Sequence, residues 1–159
     1  MDKIKFIAHI REQLLKDLAV LKEAARVTAE AATHEESKPE NEYDTRGLEA
    51  SYLAGAQSKR IVETEELLVI YKHLEPKEFG SNDVISSTAL VEVELHDKRS
   101  FFFIMSKGGG VTIEFEGQRI QVITPNSPLG EALLGLKVGQ VAIVEKGEQV
   151  LEYEIISVQ

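Results

Sequence analysis

One spacing constrains this chain more than any other. Ile4, Ile7, Arg11, Leu14, Leu18, Leu21, Ala25, Thr28 and Ala32 follow one another in alternating steps of three and four residues. That alternation keeps one narrow stripe of side chains turned toward a second helix, as in a coiled coil. The faces beside the stripe are charged, whereas a helix lying on a globular core would bury a broader apolar stripe. The stripe also narrows from leucine to alanine and threonine, which lets two helices approach closely. The spacing predicts a helix over residues 3–32, about 45 Å long at the usual rise per residue.

The next stretch, THEESKPENEYD over 33–44, is polar, holds a proline and lacks apolar spacing, so it reads as a turn. Asp44 is placed to cap a second helix over about 45–74, whose apolar residues are Leu48, Tyr52, Leu53, Ala56, Ile61, Leu67, Leu68, Tyr71 and Leu74. Two helices joined this way form an antiparallel hairpin. Only Gly47 and Gly55 occur before residue 76, and the other nine of the 11 glycines follow it. That shift in composition, with Pro76 disfavouring helix at Glu75, divides the chain into 1–75 and 76–159.

The second part alternates apolar and polar residues, as strands do. Val84–Leu95, Ser100–Met105, Val111–Phe115, Ile120–Ile123, Val141–Val144 and Val150–Val158 are the expected strands. Ser106-Lys107-Gly108-Gly109-Gly110 reads as a hairpin turn between two of them. Ser127 followed by Pro128 marks the start of one short helix. The expected class is therefore α+β: a helical hairpin, then an antiparallel sheet folded around a short helix.

Several chemistries are excluded. Lys plus Arg is 18 against 27 for Asp plus Glu, a net charge of −9, which argues against a general coat for polyanions. Cysteine is absent, so thiolate catalysis, disulfides and cysteine metal sites are ruled out. His9, His34, His73 and His96 are not paired at helical spacing, and no HExxH, GxSxG or phosphate-loop motif occurs. No apolar run reaches the ~20 residues of a membrane span, and no secretory leader is read at MDKIKFIAHI. A cytoplasmic protein is expected. The positive feature is the turn, where Glu35, Glu36, Glu40, Glu42 and Asp44 stand against Lys38. Clustered carboxylates repel, and a divalent cation held by oxygens would relieve the repulsion. A solvated polar tip with Asp44 as helix cap remains the alternative.

Ile123-Thr124-Pro125-Asn126-Ser127-Pro128-Leu129-Gly130-Glu131-Ala132-Leu133-Leu134-Gly135-Leu136-Lys137-Val138-Gly139 resembles the C-terminal signature of the GreA/GreB transcript-cleavage factors. The SKGGG segment, the length and the domain order are similar too. The resemblance implies an antiparallel coiled coil over 1–75 and an FKBP-like domain over 76–159. It implies docking of that domain on bacterial RNA polymerase at the secondary channel, through Ser127, Pro128, Leu129 and Gly130. The coiled coil would carry its acidic tip to the active site, in indirect contact with nascent RNA. Glu40-Asn41-Glu42-Tyr43 looks like the family's tip motif one residue short. Glu40 then matches the family's tip glutamate, and Ser37 stands where the family has an aspartate. The stretch after Tyr43 is longer than usual, similar to a divergent Gre-like subgroup.

On this basis the chain is no enzyme itself and would stimulate the polymerase's own cleavage of backtracked RNA. Glu40, Glu36, Glu42 and Asp44 would share a Mg²⁺ with the polymerase, with no tightly bound cofactor. Tyr43 and Arg46 would lie near the RNA. A channel occupant that does not stimulate cleavage is the alternative, and an FKBP-type prolyl isomerase or chaperone is a further one. A monomer with no membrane partner is expected.

Overall fold

The computed structural model describes residues 1–33, 45–80 and 82–159. It divides into two compact units, Ile10–His73 on one side and Met1–His9 with Leu74–Gln159 on the other. The elements are α1 (Lys3–Thr33), α2 (Arg46–Lys72), β1 (Leu90–Leu95), β2 (Lys98–Ile104), β3 (Thr112–Phe115), β4 (Gln118–Ile123), α3 (Pro128–Leu133), β5 (Val141–Lys146) and β6 (Gln149–Val158).

Within Ile10–His73, α1 and α2 run antiparallel. Gln57 Nε2 donates to Thr28 Oγ1 at 3.0 Å, and further along both helices Lys22 pairs with Glu65 at 2.7 Å. The inward positions of α1 are Leu14, Leu18, Leu21, Ala25 and Thr28, all half-buried. These five seam positions are the expected ones, but the ends of the seam differ. Ile4 is 69% exposed, and Arg11 and Ala32 also face water. At the start of the helix the expected Ile7 is buried, and Phe6 and Ile10 are buried with it. The reason is a change of partner: residues 3–9 belong to the sheet-containing unit, and a sheet selects a different helix face from the one a second helix selects.

The second helix departs further. Leu48, Tyr52 and Leu53 are exposed, while Ala50, Gln57, Ile61, Thr64 and Leu68 lead to the buried Tyr71. Two polar residues thus occupy seam positions where apolar ones were expected. The cap also differs. The residue before the first turn of α2 is Thr45, without a side-chain cap hydrogen bond. Asp44 itself lies outside the described residues.

The sheet has the order β3-β4-β2-β1-β6-β5. It is mixed rather than wholly antiparallel, because β2 pairs with β4 in parallel. This overturns the hairpin reading of Ser106–Gly110. That segment crosses the end of β4, with Met105 N–H on Ile123 O at 2.9 Å and Gly110 N–H on Val122 O at 2.8 Å. The hairpins are β1–β2, β3–β4 and β5–β6, and His96 and Asp97 in the first take the left-handed conformation that tight turns demand. The first strand begins at Leu90 rather than Val84. Residues before it bond elsewhere: Ile85 exchanges backbone bonds with Gly135 and Leu136.

One sheet face packs under α3 through Val91, Val93, Phe102, Ile104, Ile155 and Leu133. The other receives Phe6, whose ring meets Phe103 edge-on at 5.4 Å and Phe115 at 5.5 Å. Consecutive residues of a strand point to opposite faces, so Phe102 and Phe103 serve the two layers. The chain segment after α2 is clipped to this unit as well. Lys77 N–H donates to Thr88 Oγ1 at 3.0 Å, Lys3 Nζ donates to Lys77 O, and both lysines lie over the Phe79 ring. Burial holds the Lys3 ammonium below its ordinary pKa.

Candidate functional site

Two places carry the expected functional residues. The first is the loop before α3. Ser127 is the N-cap of α3, with Pro128 at its first position. Ser127 Oγ accepts from Gly130 N–H at 3.2 Å and donates to Thr124 O at 2.7 Å. The same carbonyl accepts from Ser127 N–H at 3.0 Å. One oxygen therefore closes the turn twice, and the cap fixes where α3 begins.

Gly130 is required there. A Cβ on it would stand 2.0 Å from Thr124 O, closer than any side chain tolerates. Gly109 meets the same turn from the crossing segment, where a Cβ would stand 2.9 Å from Thr124 Cγ2. The glycine-rich segment and the signature loop are thus packed on one residue, Thr124.

The four expected docking residues have different placements. Pro128 is exposed, Ser127 is half-buried, Leu129 packs against the core and Gly130 is buried. Gly130 thus shapes the loop rather than offering a surface. Asn126 and Glu131 are exposed beside Pro128 and escaped the sequence reading. Their only signal was position: one precedes the cap and the other faces outward on the first turn.

The second place is the end of the helix pair next to residues 34–44. Glu36, Glu40, Glu42, Tyr43 and Asp44 lie outside the described residues. Arg46 opens α2 and is exposed. It shares a groove between the helices with Val27, Ala31, Gly47 and Ala50. On α1 nearby, Arg26 bonds Glu23 at 2.8 Å and also Glu30. Glu23 and then Glu30 hold the Arg26 guanidinium above its usual pKa, and Arg26 in turn lowers that of Glu23.

No cluster of three potential metal ligands exists among the described residues. The donor set over 36–44 is carboxylate oxygen, the kind that suits a hard ion such as Mg²⁺. Among the described residues no helix is long and apolar enough to cross a membrane.

Comparison with known proteins places the second unit. Residues 81–159 match the family described as "Transcription elongation factor, GreA/GreB, C-term". The transcription elongation factor GreA of Thermomicrobium roseum is 29% identical over 137 residues, 86% of this chain and 81% of that protein. Among solved structures, GreA factor homolog 1 of Thermus thermophilus is similar over 94% of each chain, at 24% identity and a TM-score of 0.39. Gfh1 of Thermus aquaticus is similar over 93% of this chain and 92% of its own, at 25% identity and a TM-score of 0.39. The loop capped by Ser127 thus sits inside a segment, residues 81–159, that matches the C-terminal domain of GreA/GreB transcription elongation factors, and with its two preceding long helices the chain is similar to a divergent Gre-like factor.

Proposed function

We propose that this chain acts on bacterial RNA polymerase by docking its C-terminal unit at the secondary channel and presenting residues 36–44 to the active site. One observation carries the reading: a GreA/GreB C-terminal domain over 81–159 shares the chain with an antiparallel helix pair, and the ends of that pair bracket an acidic segment. Docking rests on the loop around Ser127 and Pro128, which Gly130 and Leu129 hold in shape from within.

The chain's own chemistry is to supply oxygen ligands. Glu40, helped by Glu36, Glu42 and Asp44, brings carboxylates to a Mg²⁺ shared with the polymerase. When bound, such an ion stabilises the charge on the attacking and leaving oxygens of the phosphodiester. Arg46, beside that segment, orients carboxylates or meets an RNA phosphate through charge-assisted hydrogen bonds. Tyr43 positions the RNA. The result is cleavage of backtracked RNA.

A second reading, channel occupancy without cleavage, is favoured by Ser37, which removes one carboxylate from the tip pattern. Stalled, backtracked complexes with end-labelled RNA separate the two. Release of short 3′ fragments that Glu40→Gln abolishes, with affinity within a few fold, supports cleavage, since an exposed charge contributes about 0–1 kcal/mol to docking. No fragments but competition with a standard Gre factor supports occupancy. Neither fragments nor competition refutes both.

A further inference from the structure

The sheet ends at β5. Strand β5 is last in the sheet order, and among the described residues its only strand neighbour is β6. Ile155 N–H donates to Gln140 O at 2.9 Å, and the pairs that follow are Ala142↔Tyr153, Val144↔Leu151 and Lys146↔Gln149. In an antiparallel ladder hydrogen-bonded pairs alternate with unbonded ones. Ala142, Val144 and Lys146 therefore bond to β6, and the N–H and C=O groups of Val141, Ile143 and Glu145 point away from it.

Proteins blunt such edges with proline, bulges, inward charges or very short strands. The opposite edge, β3, is only four residues long. Strand β5 has six residues, VAIVEK, without proline, and its pairing with β6 runs without a register shift. Its side chains at the open edge are apolar and exposed: Val141 is 45% and Ile143 57% accessible. Across the ladder Val141 stands opposite Glu154, Ile143 opposite Glu152, and Glu145 opposite Val150. Apolar and acidic groups thus share one face in a regular lattice. None of Glu145, Glu152 and Glu154 has an ion-pair partner among the described residues.

We infer that β5 receives an extended segment of a partner protein in which apolar residues alternate with lysine or arginine, added as a seventh strand. The backbone groups of Val141, Ile143 and Glu145 supply the ladder, and the side chains supply selection. Charge decides the occupant. Pairing β5 with a second copy of itself would bring both sets of glutamates onto one face, between chains that each carry −9. A basic strand meets the same face with opposite charge. The inference stands whether or not the polymerase reading holds.

The test uses the full chain, isotope-labelled, titrated with a synthetic peptide alternating valine and lysine. The expected result is slowed amide exchange at Val141, Ile143 and Glu145, with Ala142 and Val144 unchanged because they are already bonded. Ile143→Pro removes an edge N–H that the fold does not use, and is expected to weaken binding by about tenfold or more while the remaining amide spectrum stays native. A double variant, Glu152→Lys with Glu154→Lys, is expected to shift preference to a valine–glutamate peptide. Protection of the edge amides that grows with protein concentration and needs no peptide would assign the edge to a second copy and overturn the proposal. Unchanged exchange at all three amides would overturn it as well.

Discussion

Replacing Gly130 by alanine tests how the loop before α3 is held. The new Cβ would stand 2.0 Å from Thr124 O, and a carbon–oxygen contact settles at about 3.3 Å or more, so the carbonyl must move by roughly 1 Å. That oxygen accepts from Ser127 N–H at 3.0 Å and from Ser127 Oγ at 2.7 Å. Ser127 Oγ in turn caps Gly130 N–H at 3.2 Å. Losing two neutral hydrogen bonds and one cap, each of about 1 kcal/mol, gives a cost of roughly 2–4 kcal/mol. Alanine's better helix propensity returns at most about 1 kcal/mol of that, and less in a first turn. Gly55→Ala is the control. It lies within α2 with open space at its Cβ position, so it is expected to stabilise by about 0.5–1 kcal/mol. Urea unfolding is followed by resolved amide signals, those of 82–159 for Gly130→Ala and those of α2 for Gly55→Ala. A Gly130→Ala protein that loses less than ~1 kcal/mol, with the Thr124 and Ser127 amide shifts unmoved, would refute the reasoning.

Further expectations follow from the packing. Phe6→Ala is expected to cost about 3–5 kcal/mol in the same urea experiment, because Phe6 is fully buried between Phe103 and Phe115. Gln57→Leu is expected to stabilise the helix pair by about 1 kcal/mol in thermal melts, since Gln57 Oε1 is buried without a donor among the described residues and Thr28 Oγ1 keeps its bond to Ala24 O. A loss of stability there would show that the Thr28 bond outweighs the orphaned oxygen. Burial pushes the Tyr71 hydroxyl up to about 12 from an ordinary 10.0. A raised folded-state pKa means this contribution is intact below pH 10 and is lost as pH rises toward 12. The midpoint temperature is therefore expected to fall across that window, and Tyr71→Phe to remove this part of the fall.

Local rules read much of this chain. Helix α1 was legible end to end because a heptad repeat needs only near neighbours in sequence, and five of its seam residues take their expected places. The cap at Ser127 with Pro128 was legible for the same reason, since a cap is closed within four residues. The docking residues were less so. Sequence similarity marks Ser127, Pro128, Leu129 and Gly130 alike, yet only contact with Thr124 and the core separates the exposed Pro128 from the buried Gly130.

What the sequence determined by itself is the order of elements, the single acidic segment between two helices, and the absence of cysteine chemistry. Those follow from residue types and from spacings shorter than a few turns. The tertiary structure decided three other things. It turned Phe6 rather than Ile4 inward, because the first turns of α1 meet a sheet and not a helix. It placed Gln57 and Thr64 on the seam of α2, where Leu48 and Tyr52 had the better hydropathy. It paired β2 with β4 in parallel, which made the glycine-rich segment a crossing rather than a hairpin. Each depends on which partner surface an element meets, and that partner lies tens of residues away, beyond the reach of any periodicity within the element.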